Sequence, residues 1–351
     1  MRWSIVILMM LSLACSKKEA APANPEQTAE AGADPSPDGA EPKAGEVAVP
    51  ATATLRPLDS PELPLQLRTP APSLDAPPVL EVLEQGQEPR QPLRFRIKPG
   101  FEQKVSLALG FTIDALVAVL RVGEAIYVVT YDLTLRAGKA EDDGSVRVTF
   151  KVDGATIDPK RIGDKRLSRI EQALTSARKL TGSYTLGPRG RMTKLKMNIP
   201  KDATRTAHDM ADNLRWALVQ MTPAFPEEPV GQGAKWTVHE GVQEGGIHVN
   251  QLSTLEVVKV EGSRVELAVQ AQQSAAPQSF SNPGIAIVNQ LKLLGAEADG
   301  SLHWDLTQLA PRAADLSANV LKSADQPTKD PKNPSIEVIV KTSRAVNYDA
   351  E

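Results

Sequence analysis

Few side chains in this 351-residue chain could do chemistry: one cysteine and four histidines lead the field. Cys15 directly follows the chain's one compact apolar run. With no second cysteine there is no disulfide, and no thiolate pair to hold a metal. The histidines are His208, His239, His248 and His303. His239 and His248 flank Gly245 and Gly246, a spacing that suits the two arms of a hairpin. A zinc site needs three or four ligands within tetrahedral reach, and no His-x-x-x-His spacing occurs. The expected reading is therefore surface histidines on strands, without a metal.

Catalytic patterns are equally sparse. There is no Gly-x-Ser-x-Gly elbow and no phosphate loop, and the "GPRGR" stretch is read as a turn because no helix follows it. Asp142 and Asp143 precede Gly144 in a turn-forming sequence, and Glu227 and Glu228 lie between prolines. Both acidic pairs are expected on solvated loops rather than at an acid/base site. Trp216, Trp236 and Trp304 are the candidates for lining a cavity or its rim, with packing in the core as the competing role. The chain is thus expected to be no enzyme, with no catalytic or cofactor-binding residues.

Composition divides the chain before any element is assigned. Ser16 to Arg90 holds 14 of the 28 prolines and no Phe, Tyr or Trp, with 6 Lys/Arg against 13 Asp/Glu. Such a segment buries too little apolar surface to offset the entropy of ordering its backbone, so it reads as an acidic linker. Fully extended in a polyproline II conformation it would reach roughly 200 Å, and as a flexible coil its ends would average about 50 Å apart. Its second half carries more leucine and valine, and the expectation is that this part packs in extended form on its own domain. From Gln91 onward charges of both signs are interspersed and nearly balanced, which gives no electrostatic footprint for nucleic acid. The expected division is a signal peptide at 1–14, a lipidated cysteine and disordered linker at 15–90, and a single domain at 91–351.

The first residues explain the lone thiol. In "MRWSIVILMMLSLA", Arg2 precedes a mostly apolar run that ends at the small residue Ala14. This is the grammar of a signal peptide, and it is too short to cross about 30 Å of hydrocarbon as a permanent helix. With Cys15 directly after Ala14, the stretch resembles a bacterial lipoprotein signal, although Ser12 stands where such signals usually carry leucine. The resemblance implies cleavage between Ala14 and Cys15, diacylglycerol on the thiol and acylation of the new N-terminus. A conventional secretory signal cut after Ala14 is the alternative. Several acyl chains, each contributing about 0.8 kcal/mol per buried CH₂, give a durable anchor. Ser16 after the cysteine favours the outer membrane, so the expected location is the bacterial cell envelope, facing the periplasm or the exterior.

Within the domain, period-two patterns dominate. Val146, Val148, Phe150 and Val152 alternate with Arg147, Thr149, Lys151 and Asp153, which predicts an antiparallel strand with one wet face. Hairpins are predicted around Glu261-Gly262-Ser263 and Pro188-Arg189-Gly190, a strand over "SIEVIVKTSRAV", and two long strands near the domain's start. Two stretches are instead helical. In Asp164–Leu180 the stripe is Leu167, Ile170, Leu174 and Ala177; in Ala203–Met221 it is Ala207, Met210, Leu214, Leu218 and Met221, with Asp202 as N-cap. One-sided helices need a surface to cover. The expected fold is therefore α+β: a large curved antiparallel sheet of about ten strands, a partial barrel, covered by two main helices.

The stretch "YTLGPRGRMTKLKMNIP", a helix, "FPEEPVGQGAKWTV" and "GSLHWDL" together resemble a family of uncharacterised bacterial exported lipoproteins with a P-x-x-P-V-x-x-G-x-x-W segment. The matching residues are Gly190, Pro226, Pro229, Val230, Gly233 and Trp236. This resemblance implies fold and location but no activity. The layout is also loosely similar to periplasmic lipoprotein carriers that hold acyl chains in a half-barrel. The expected function is a non-enzymatic, lipid-anchored envelope module for binding or scaffolding, attached to the membrane through Cys15 and facing an envelope protein. The alternative is a carrier that takes an acyl chain or other apolar ligand. A sizeable apolar cavity beneath the helices discriminates between the two: the scaffold expects a filled concave side.

Overall fold

The computed structural model describes residues 71–74, 76–117, 120–157, 164–281 and 287–349. Side chains at 121–126, 164–169 and 349 are also outside that description. The expected signal peptide, Cys15 and most of the linker therefore lie beyond the described residues, as does the side chain of Leu167.

The strands in chain order are β1 (Val79–Glu84), β2 (Glu102–Val117), β3 (Leu120–Ala140), β4 (Val146–Ile157), β5 (Thr181–Leu186), β6 (Met192–Asn198), β7 (Lys235–Glu244), β8 (Ile247–Glu261), β9 (Arg264–Ala275), β10 (Gln278–Phe280), β11 (Asn289–Asp305), β12 (Ala313–Asp330) and β13 (Asn333–Asp349). Two helices interrupt them, α1 (Asp164–Ala177) and α2 (Arg205–Gln220). The expected count of about ten strands is corrected to thirteen among the described residues. Part of the excess comes from β1, which lies before the domain boundary expected at Gln91, and part from the short β10.

All strands belong to one antiparallel sheet, in the order β1-β7-β8-β9-β11-β12-β13-β2-β3-β4-β5-β6, with β10 attached to β11. No pairing joins β1 to β6, so the sheet curves without closing. Near its middle β13 pairs with β2, where Val338 faces Val117 and Tyr348 faces Leu107. Period-two sequence becomes a wet and a dry face as predicted: along β4, Val146, Val148, Phe150 and Val152 are buried and their alternates exposed. The second half of the linker does pack in extended form from Val79, where β1 pairs with β7 and sets Val82 opposite Trp236.

Both helices cover the concave face. Ile170, Ala173, Leu174 and Ala177 are the buried side of α1, and Ala207, Met210, Ala211, Leu214, Ala217 and Leu218 that of α2. The N-cap of α2 is Thr204, not the expected Asp202: the Thr204 hydroxyl accepts from the amide of Ala207 at 3.3 Å. Threonine is a competent though weaker cap than aspartate, and the proline at 200 starts a turn, closed by Ala203 N–H to Pro200 C=O, that delays the helix. Against the side of α2 that carries Leu214, Leu218 and Met221 the concave face is solid, filled by Phe95, Phe225, Trp236, Trp304 and Leu309.

The β5–β6 turn fixes this closed end. Gly190 has φ of +82°, and a Cβ there would stand 1.9 Å from the Pro223 carbonyl oxygen. Only glycine permits both the left-handed backbone and the approach. Phe225 N–H donates to the Arg189 carbonyl and Phe95 N–H to that of Pro188, so the turn is tied to the segment after α2.

Two buried phenols make alkaline stability a test of this packing. Tyr131 and Tyr184 are 0% and 3% exposed, and burial pushes both well above the ordinary tyrosine value. A raised folded-state pKa means that the native state holds its proton where the unfolded chain releases it. The associated stability is full below pH ~10 and is lost as pH rises beyond it, at about 1.4 kcal/mol per pH unit for each group. Tyrosinate absorbance is expected to rise in one step together with loss of secondary structure. A smooth titration centred near pH 10 in the folded protein would show these rings to be solvated.

Candidate functional site

The concave face is not filled along its whole length. Beyond the solid end lies a cavity of about 2020 Å³. Its apolar wall comes from side chains in phase on neighbouring strands: Phe111, Ile113, Ala115 and Val117 on β2, Val338 and Val340 on β13, Val320 on β12, and Leu255 on β8. One side of α2 roofs it through Met210, Asn213, Trp216 and Val219. Leu302, Thr222 and Pro223 form the floor toward the packed core. The opposite end is lined by the tips of β2 and of the β12–β13 hairpin, including Val117 and Asp330, and by Leu74 and Val288. This mouth pairs polar hairpin residues (Gln326, Thr328, Lys329 and Asp330) with exposed apolar ones: Leu74, Val288 and the neighbouring hairpin residue Leu120 are 43%, 53% and 71% exposed.

Charge is set into this wall. The Arg344 guanidinium, from β13, meets Glu244 Oε1 of β7 at 2.5 Å. Four strands separate β13 from β7 in the sheet, so the pair reaches across the hollow rather than along the wall. Arg344 also lies over the Trp216 ring, 5.3 Å from its centroid. Along α2, Arg205 pairs with Asp209 and Arg215 with Asp212, each at 3.5 Å. Burial pushes the carboxyls of Asp209 and Asp212 up, and their arginine partners oppose this. Lys322 of β12 also faces the cavity, with Nζ 5.6 Å from the Phe280 ring centroid. Burial pulls its ammonium below the ordinary lysine value.

A second, neutral polar patch lies on β8 and β9. Gln251 accepts from Gln220 and Gln273 at 3.1 and 2.6 Å, and donates to Glu240 and Ser253. These amides satisfy one another, and burial pushes the Glu240 carboxyl up.

The three tryptophans separate. Trp216 reaches the cavity, whereas Trp236 and Trp304 do not line it and sit in the packed core. Each core indole donates to a backbone carbonyl: Trp236 to Ala224 at 2.9 Å and Trp304 to Met221 at 3.0 Å. The "FPEEPVGQGAKW" stretch is a connector at the closed end. Val230 exchanges both backbone hydrogen bonds with Gln91, and Arg94 donates to the carbonyls of Pro226 and Glu227. Asp143 caps its own turn by accepting from the Ser145 amide.

His239 and His248 do share the β7–β8 hairpin but are engaged elsewhere, His239 with Asn250 at 2.6 Å and His248 with the Pro72 carbonyl at 2.8 Å. Among the described residues no group of three His, Cys, Asp or Glu side chains could hold a metal ion. None of the described helices is long and apolar enough to cross a membrane.

The charged residues in the wall are what composition-level reasoning misses, yet each carries a signal. Arg344 continues the phase of Ile336, Val338 and Val340; Lys322 that of Leu316, Ala318 and Val320; Glu244 that of Trp236, Val238 and Val242. A charge on the dry face of a strand is the readable mark.

No family model and no curated protein matches this chain. Among solved structures, DynF from the dynemicin biosynthesis pathway of Micromonospora chersina aligns over 83% of this chain and 97% of its own, at 9% identity and a TM-score of 0.19. A likeness at that score carries no argument about fold or function.

Proposed function

We propose that the protein is a lipid-anchored envelope carrier whose half-barrel takes up an acyl chain or another apolar ligand. The observation that supports this reading is the cavity. At about 2020 Å³ it is larger than the 300–1,000 Å³ typical of small-molecule sites, which leaves room for more than one extended chain. A scaffold would gain stability from a filled concave side, and packing normally leaves few such voids. Each CH₂ moved from water to the wall contributes about 0.8 kcal/mol, so a long chain supplies ample affinity without any catalytic group. The exposed leucines and valine at the mouth provide an apolar path for entry. Attachment through Cys15, with the acidic linker as tether, would hold the carrier at a membrane surface and within reach of a neighbouring one.

The deciding experiment purifies the full chain from its own membranes and applies native mass spectrometry. A co-purifying species with one or more acyl chains, released on denaturation, is the expected result. An empty protein that also fails to take up palmitate or phospholipid overturns the carrier reading. In the same preparation the N-terminal peptide is expected to begin at a lipid-modified Cys15, and Cys15→Ser is expected to move the protein to the soluble fraction. An unmodified N-terminus would remove the anchor while leaving the cavity assignment standing.

A further inference from the structure

We propose that the ligand of this cavity bears an anionic head, a carboxylate or a phosphate, which docks on Lys322 inside the half-barrel. The proposal rests on the carrier reading above and adds the ligand's charge and its point of attachment.

Three neighbouring cations already have partners. Arg344 is held by Glu244, Arg205 by Asp209 and Arg215 by Asp212. Lys322 is the exception: no carboxylate among the described residues lies within ion-pair distance of it, and its ammonium has only the Phe280 face. Cation–π contact replaces part of the lost hydration, and among the described residues no protein acceptor takes its N–H groups, which are left to face the cavity. A cation set into an apolar wall is expensive unless something pairs with it. Burial accordingly lowers the Lys322 pKa; Arg344 and Arg205 push the same way, while Glu244 and Asp209 oppose them.

A second observation points to an acceptor that has yet to arrive. Nε of Arg344 and Nη1 of Arg205 are buried donors without an acceptor, His208 Nδ1 is buried without a partner, and the buried carboxylate oxygen without a donor is Oε2 of Glu244. Donors are thus in excess around the hollow. One anionic group between Lys322 and Arg344 would supply the missing acceptors and neutralise the surplus charge.

The position also fits an amphiphile. Lys322 pairs in register with Val340 on β13, and Arg344 with Ala318 on β12, which places the lysine nearer the mouth and the arginine deeper. Val338, Val340, Ile113 and Ala115 surround this level of the wall. A head group fixed at Lys322 would leave its chain against those side chains, and a free fatty acid and an anionic phospholipid would satisfy the site equally.

Palmitate and hexadecanol, which share a chain but not a charge, provide the test. Both are titrated into the purified full chain, and binding is followed by the fluorescence of Trp216 in the cavity wall. Palmitate is expected to bind at least about tenfold more tightly than hexadecanol, the scale of one charge-assisted hydrogen bond away from bulk water. Lys322→Met is expected to abolish that preference while leaving hexadecanol binding unchanged, and Lys322→Arg to retain it. Thermal unfolding of each variant checks that the fold persists. Equal palmitate affinity in the wild type and Lys322→Met overturns the anionic site and leaves the carrier reading intact; failure of both amphiphiles to bind overturns the carrier reading and the site with it. Vesicles of phosphatidylglycerol mixed with phosphatidylcholine separate the two sources: selective extraction of the anionic lipid marks a phospholipid head, and binding of palmitate alone marks a fatty acid.

Discussion

Trp304→Ala is expected to destabilise the protein by about 3–5 kcal/mol, the range for deleting a fully buried large aromatic side chain. The indole is 2% exposed and sits between the sheet and the end of α2. Its edge meets Phe95 at 5.0 Å and 84°, a favourable perpendicular arrangement. It also donates to the carbonyl of Met221, the C-cap residue of α2. Truncation would remove the ring, open a void and leave that carbonyl without its donor. Trp304→Phe separates these effects, because it keeps most of the volume and loses only the N–H, at about 1–2 kcal/mol. Urea unfolding reads both variants. If the alanine variant lay within ~1 kcal/mol of wild type, the closed end would not be the packed plug described here.

Arg344→Met is expected to lower stability by about 3 kcal/mol, the lower part of the range for breaking a buried ion pair. The two partners are 14% and 17% exposed, so little water reaches either. Removing the guanidinium strands Glu244 in the wall, with only the more distant Lys322 ammonium to offset it. The double variant Arg344→Met, Glu244→Leu is expected to regain more than half of the loss, because two apolar groups leave no orphan charge. A denaturant midpoint for the single variant equal to that of the wild type would mean that the pair is solvated and contributes nothing. The double variant also has a bearing on ligand: with no bridge across the hollow, the two walls lose their one direct polar link among the described residues, and bulkier amphiphiles are admitted more readily.

Much of this architecture was legible because period-two alternation is a strong signal when one face is dry and the other wet. The strand over β13 and the hairpin closed at Gly190 follow from it directly, while the stripes of α1 and α2 are read from apolar spacings of three and four. The strand at β1 was harder to see, since Val79, Leu80, Val82 and Leu83 lie among prolines and gain their structure from pairing with β7, a partner more than 150 residues away. The N-cap of α2 was misplaced by two residues because cap propensity alone favours Asp202 over Thr204, and the local turn from Pro200 overrides it. The cavity itself was anticipated only as a criterion. Whether facing side chains meet or leave a hollow depends on the curvature of the sheet and the height of the helix above it, which no local pattern encodes. Hence Trp216 lines the space while Trp236 and Trp304, of the same residue type, are packed away from it.

The join between β13 and β2 has a consequence for when the molecule can fold. Leu107 waits for Tyr348, and Val117 for Val338, so the two flanks of the sheet stay unconnected until a strand synthesised more than 200 residues later is available. Pairings this remote in sequence assemble slowly. Were the chain exported as proposed, such delay would be useful: it would stay loose and extensible in transit, and the missing strand would arrive only as threading neared its end. The same seam that completes the hollow would then serve as a timer, since the cavity cannot form until β13 has joined β2.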